Sequence, residues 1–212
     1  CLASLYKPME AVGGDFYDFI RVREPDLLGI FISDVSGHGV PAALITTMVK
    51  TLLETAGLNR IKPAQLLKYI NETIAGQTGG NFLTAFYGVY QQQTKIFSYA
   101  RGAHNPPYLI RNNQVILLES KGKVLGLLEG LDFEEKQIQL QSGDRLLFYT
   151  DGLTEAENNQ GIEFEEVLHK ILVQNFKGEA QDFLDLIYHA LLEHRGGYHF
   201  DDDVCIVVMD IL

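Results

Sequence analysis

Residues 27–41 read Leu27-Leu28-Gly29-Ile30-Phe31-Ile32-Ser33-Asp34-Val35-Ser36-Gly37-His38-Gly39-Val40-Pro41. The first seven form a short continuous apolar run, the pattern of a buried strand. Gly37 and Gly39 break the chain behind it, and Pro41 suits the first turn of a helix. From Ala42 to Ala56 the apolar residues Leu44, Ile45, Met48, Val49, Leu52, Leu53 and Ala56 recur at helical spacing. An acidic residue, Asp34, therefore stands where a buried strand ends and a helix begins.

Three further acidic stretches occupy similar places. Gly13-Gly14-Asp15-Phe16-Tyr17-Asp18 lies ahead of that strand, Thr150-Asp151-Gly152 follows the strand-like Arg145 to Thr150, and Asp201-Asp202-Asp203 precedes the apolar Val204 to Asp210. Folding that gathers these carboxylates at one sheet edge sets like charges against one another and strips their water. A hard divalent cation, or a pair, relieves both costs. Carboxylate-held metal pairs are typical agents of phosphate-ester hydrolysis.

The remaining chain sets the fold class. A second helix is expected from Pro63 to Ile74. Phe82 to Tyr90 and Lys95 to Tyr99 form a hairpin across residues 91–94, and Tyr108 to Arg111 with Val115 to Leu118 form another across Asn112-Asn113. A half-exposed strand is expected over Phe133 to Leu140. Helical patterns run from Phe164 to Val173 and from Phe183 to about His194. The expected order is strand, two helices, many strands, two helices, strand. This is an α+β domain with helices outside a mostly antiparallel core.

Composition excludes several classes. At 212 residues and 46% hydrophobic content, the chain builds one well-buried core, and we read 1–212 as a single domain. A net charge of −11 with scattered basic residues argues against a nucleic-acid partner. No run of eighteen apolar residues offers a membrane span. Cys1 and Cys205 make no disulfide framework, and without a Cys/His cluster no zinc site is expected. A reducing, cytoplasmic setting fits this usage. The chain opens on Cys1 close to the first acidic motif, and is expected to be a C-terminal piece of a longer, regulated protein.

The ordered set GGDFYD (13–18), SDVSGHG (33–39), GAHNPP (102–107), YTDGLTEA (149–156) and DDDV (201–204) resembles the PPM-type (type 2C) metal-dependent Ser/Thr phosphatases. More narrowly, it is similar to their bacterial branch containing sporulation stage II protein E and the stress-response anti-anti-sigma phosphatases. The resemblance implies a four-layer α-β-β-α sandwich with two Mn²⁺ or Mg²⁺ ions. It implies Asp15 and Asp34 as shared ligands with the Val35 backbone carbonyl, and Asp151 with Asp202, or alternatively Asp203, at the second metal. It further implies direct attack by a metal-bridging hydroxide on phosphoserine or phosphothreonine of a partner, an anti-anti-sigma (STAS-type) regulator, and homodimerisation through an upstream regulatory segment.

Departures from the pattern are specific. Many relatives carry Thr where this chain has Cys205. The phosphate-gripping Arg of eukaryotic members has no counterpart, Lys7 being the nearby cation. Their His two residues after the second acid is replaced by Ser36, so His38 is only a secondary catalytic candidate. His104 is expected to shape its Pro-rich loop. The alternative from another class is a silent relative that binds a partner without turnover; Asp at every candidate ligand position argues against it.

Overall fold

The computed structural model describes residues 1–22, 26–174 and 177–212. The chain divides into two units, each built on its own five-stranded antiparallel sheet.

One unit comprises Val12–Pro106 and Glu119–Leu140. Its sheet contains β2 (Phe16–Arg21), β3 (Leu27–Val35), β4 (Leu83–Gln91), β5 (Ile96–Gly102) and β8 (Glu135–Gln139), in that spatial order. The apolar run at 27–33 becomes β3 because it is flanked on both edges: Ile30, Phe31 and Ile32 are fully buried. The helices α1 (Val40–Thr55) and α2 (Pro63–Ile74) follow, each with a proline in its first turn as expected. A short 3₁₀ helix, Gly57–Ile61, joins them. Ile45, Val49 and Leu53 of α1 and Leu66, Leu67, Ile70 and Ile74 of α2 share a core with Phe31, Val35, Tyr87 and Val89 of the sheet. Helical spacing of apolar residues is thus converted into one buried face.

The other unit comprises Cys1–Ala11, Pro107–Leu118 and Gln141–Leu212. Its sheet runs β1 (Leu2–Lys7), β10 (Val204–Asp210), β9 (Arg145–Tyr149), β6 (Tyr108–Arg111) and β7 (Gln114–Leu117). After β9 come α3 (Asp151–Thr154), α4 (Glu165–Leu172) and α5 (Ala180–Arg195). Phe164, Leu168, Phe183, Leu184, Ile187 and Leu191 close over Leu147, Ile206 and Val208. A capping box starts α5, Glu179 and Asp182 each accepting the other's backbone N–H, and Gly196 ends it in the left-handed region.

The expected element order needs correction at three places. β1 and β2 precede the strand taken as first, a 3₁₀ helix separates the two helices, and an additional short helix, α3, opens at Asp151. β1 buries only Ala3, so its sequence carries no alternation, and pairing along its whole length with β10 makes it a strand. β2 is half-buried nearly throughout, and its residues had been absorbed into the acidic motif.

Asn71 shows how the α2 face fixes a loop. The residue is fully buried; its amide donates to the Leu128 carbonyl at 2.9 Å and accepts from Gly126 N–H at 3.0 Å. Replacement by a similarly shaped apolar side chain strands both backbone groups. Asn71→Leu is therefore expected to cost about 2–4 kcal/mol, read as a shift of the urea unfolding midpoint.

Candidate metal centre

In the β2–β3 unit, Phe16 pairs with Ser33 in the antiparallel register. Extending that register one step sets Asp15 across from Asp34, at the end of the same strand pair. Asp15 is buried, with 5% exposure, and Asp34 is half-buried. Like charges directly opposite on a strand pair destabilise it. The Val35 carbonyl lies against Gly14: a Cβ at position 14 would stand 2.7 Å from that oxygen. Only glycine leaves the space open. Thr46 of α1 donates its hydroxyl to the Gly14 carbonyl at 3.2 Å and fixes the approach. Asp18, the second acid of the motif, is different. It accepts a hydrogen bond from Lys50 at 2.6 Å and serves as a structural ion pair.

In the other unit, the ends of β9 and β10 are tied beyond their last regular pair. Thr150 donates its N–H to the Cys205 carbonyl at 3.1 Å, and Cys205 N–H donates to the Thr150 hydroxyl at 3.0 Å. Asp151 follows at the start of α3, its carboxylate accepting Gly152 N–H at 3.0 Å. A Cβ at position 152 would fall 2.0 Å from the Asp203 carbonyl and 3.4 Å from the Asp202 Cβ. Glycine here lets the two acidic segments touch.

The acidic triplet separates into three roles. Asp201 is exposed and bonds Arg195 at 2.8 Å, which holds its carboxyl below the ordinary aspartate range. Asp203 is buried and accepts Met9 N–H at 2.7 Å, anchoring the segment after β1. Asp202 is exposed, accepts a local bond from Asp203 N–H at 2.7 Å, and has its Cβ beside position 152. Of the two alternatives, Asp202 is exposed and Asp203 is buried.

Sequence reading missed Glu155, one helical turn beyond Asp151. Desolvation first, and then the like charges of Asp151, Glu163, Asp202 and Glu165, push its carboxyl above the ordinary glutamate range. The i, i+4 spacing from Asp151 was the available signal. His38 lies exposed in the loop leading into α1. Both cysteines are free, and Cys205 is fully buried.

Among the described residues, no three or more His, Cys, Asp or Glu side chains are grouped so as to hold a metal ion. The donor set nevertheless fits a hard cation. Every candidate is an oxygen, and glycine lies against the Val35 carbonyl and beside Asp151 where a Cβ would intrude.

Two antiparallel sheets carrying helices, with acidic residues at strand ends, define an α+β protein of the PP2C fold, and solved structures share it. The SiaA-PP2C domain of Pseudomonas aeruginosa superposes with a TM-score of 0.85 at 22% identity, over 99% of this chain and 85% of that one. RsbX, solved in complex with magnesium, gives 0.70 at 15% identity, over 98% and 92% of the two chains. The chain belongs to the family described as Stage II sporulation protein E (SpoIIE), whose profile matches residues 24–212. Phosphoserine phosphatase RsbU of Bacillus subtilis (strain 168) is 30% identical over 211 residues, covering 98% of this chain and 62% of RsbU. The chain thus spans less than two thirds of the curated relatives it matches. Asp15 precedes the family match, but it falls within the 98% of the chain that the alignment with RsbU covers.

Two expected outcomes separate these acids. Without metal, Asp203→Ala loses about 1–3 kcal/mol in chemical denaturation because Met9 N–H is stranded. Glu155 carries the opposite sign. A carboxyl raised on folding is most stabilising when protonated, and its contribution is lost as pH rises through the folded value. Glu155→Gln should therefore melt higher than wild type at pH 7 in metal-free buffer, the gap closing as the pH is taken down through the glutamate range.

Proposed function

We propose that residues 1–212 act as one catalytic domain, a metal-dependent protein phosphatase that hydrolyses phosphoserine or phosphothreonine on a partner protein. The observation that carries this reading is the β2–β3 register, which ends at Phe16–Ser33 and, continued one step, sets Asp15 across from Asp34, with Gly14 against the Val35 carbonyl. Family membership over both units supports it, and RsbU is itself described as a phosphoserine phosphatase.

Asp15, Asp34 and the Val35 carbonyl would hold one Mg²⁺ or Mn²⁺, with Asp151 and Asp202 completing a second. RsbX was solved with magnesium, which supports the choice of a hard ion. When bound, such ions neutralise phosphate oxygens and make water a competent nucleophile near neutral pH. The protein's own residues position and exclude. The buried Asp15 keeps its carboxylate oriented, and the Thr150 latch with the Cys205 backbone sets where Asp151 emerges.

No side-chain nucleophile enters this proposal. Cys205 is fully buried in β10 and offers no nucleophile, which supports a reading of direct attack by water without a phosphoenzyme. Glu155 adds negative charge next to Asp151 and Asp202, which raises the demand for a cation there. The partner in this reading is a phosphorylated anti-anti-sigma regulator of the STAS type. A cytoplasmic setting and dimerisation through an upstream segment belong to the same proposal.

Hydrolysis of a phosphoserine peptide, followed against Mn²⁺ concentration, tests the reading. Wild type should show saturable Mn²⁺-dependent release of phosphate, and Asp34→Asn should lose about a hundredfold or more in kcat/KM while melting as wild type does. Mn²⁺-independent turnover, or full activity in Asp34→Asn, would overturn it.

A further inference from the structure

His104 is the most buried histidine of the described residues that belongs to a motif, with 3% exposure. Its Nδ1 shares a hydrogen bond with the Thr84 hydroxyl at 2.8 Å. Thr84 is the register partner of Asp34 in the β3–β4 ladder. Directly opposite residues of an antiparallel pair point to the same face of the sheet, with Cβ atoms about 4.5–5.5 Å apart. The imidazole therefore grips the side chain that stands beside the Asp34 carboxylate.

The loop carrying His104 is held against an unfavourable backbone. Ala103 takes a left-handed φ of 57°, a region non-glycine residues seldom adopt. Three tethers keep it there. Ala103 N–H donates to the Gly122 carbonyl at 3.1 Å, Ala103 bridges Ala85 in parallel, and Arg101 Nη1 donates to the His104 carbonyl at 2.8 Å. Strain of this sort, held by surrounding structure, clusters where a side chain must be aimed.

We propose that His104 is a positioning residue for Asp34, acting through Thr84. A β-branched threonine has few χ1 wells, and the shared hydrogen bond selects one. Asp34 thereby gains a neighbour of fixed rotamer on its own face, as residues behind metal-ligating carboxylates do. The inference rests on the reading of Asp34 as a metal ligand. It departs from a loop-shaping role, which fixes residues 102–107 but leaves metal affinity unchanged.

Mn²⁺ titration by calorimetry, with melting temperatures measured in parallel, decides it. Thr84→Val and His104→Leu should each weaken Mn²⁺ binding about 10–100-fold. His104→Asn keeps a hydrogen-bonding atom near the Nδ1 position and should stay within about threefold of wild type, and the Thr84→Val/His104→Leu double variant should be no weaker than either single one. Wild-type affinity in folded Thr84→Val overturns the assignment, and so does His104→Asn as weak as His104→Leu. If His104→Leu does not fold, Thr84→Val carries the decision. A wild-type chain that binds no Mn²⁺ overturns the metal reading itself and this inference with it.

Discussion

Repulsion among carboxylates held at strand ends is the constraint on which this protein turns. The fold disposes of its acids in two ways. Asp18 with Lys50, Asp144 with Arg111, Asp210 with Arg145 and Asp201 with Arg195 each meet a basic side chain, and these pairs sit away from the strand ends that carry the motifs or on their outer rim. Asp151, Asp202 and Asp203 accept backbone N–H groups. A backbone dipole orients a carboxylate without cancelling its charge. Carboxylates left with their charge and fixed in direction are what a hard cation requires, whereas a lysine at the same place would compete with it.

Rigidity at these positions is inherited from the sheets. Asp34 is the penultimate residue of β3, whose Ile30, Phe31 and Ile32 are fully buried, so the core that forms the strand also sets the carboxylate. Asp151 and the triplet are set by β9 and β10, paired from Tyr149–Ile206 outward and then latched by Thr150 and Cys205. Glycines at 14 and 152 complete the arrangement from the other side, since each marks a backbone approach that any Cβ would block. Small side chains and buried strands thus do for the acids what a cage of ligands does in a closed site.

Much of this was legible in the sequence, for identifiable reasons. β3, α1, α2 and both hairpins announce themselves by apolar period and turn residues, and their observed bounds fall within a few residues of those expected. β1 and β2 do not, because an edge strand with one buried residue and a half-buried strand lack the period that burial imposes. Position alone favoured Asp202 over Asp203 in the sequence, but the different surroundings of the two adjacent aspartates, burial and a Met9 N–H at Asp203, are not encoded there. The partnership of Thr84 with His104 joins residues twenty apart, and no local pattern encodes it.

Cys205 departs from the pattern that the sequence resemblance implies, in which a Thr stands at this position and its hydroxyl invites a role in the site. In this chain, the backbone of position 205 reaches Thr150, the N–H donating to the Thr150 hydroxyl and the carbonyl accepting Thr150 N–H. The side chain lies fully buried in the sheet, where a thiol packs as a small apolar group. The latch therefore depends on the hydroxyl at 150 and on the register of β10, both of which a Thr-to-Cys exchange preserves. What must be kept at this strand end is the backbone geometry, while the buried side chain at 205 is constrained by packing to stay small.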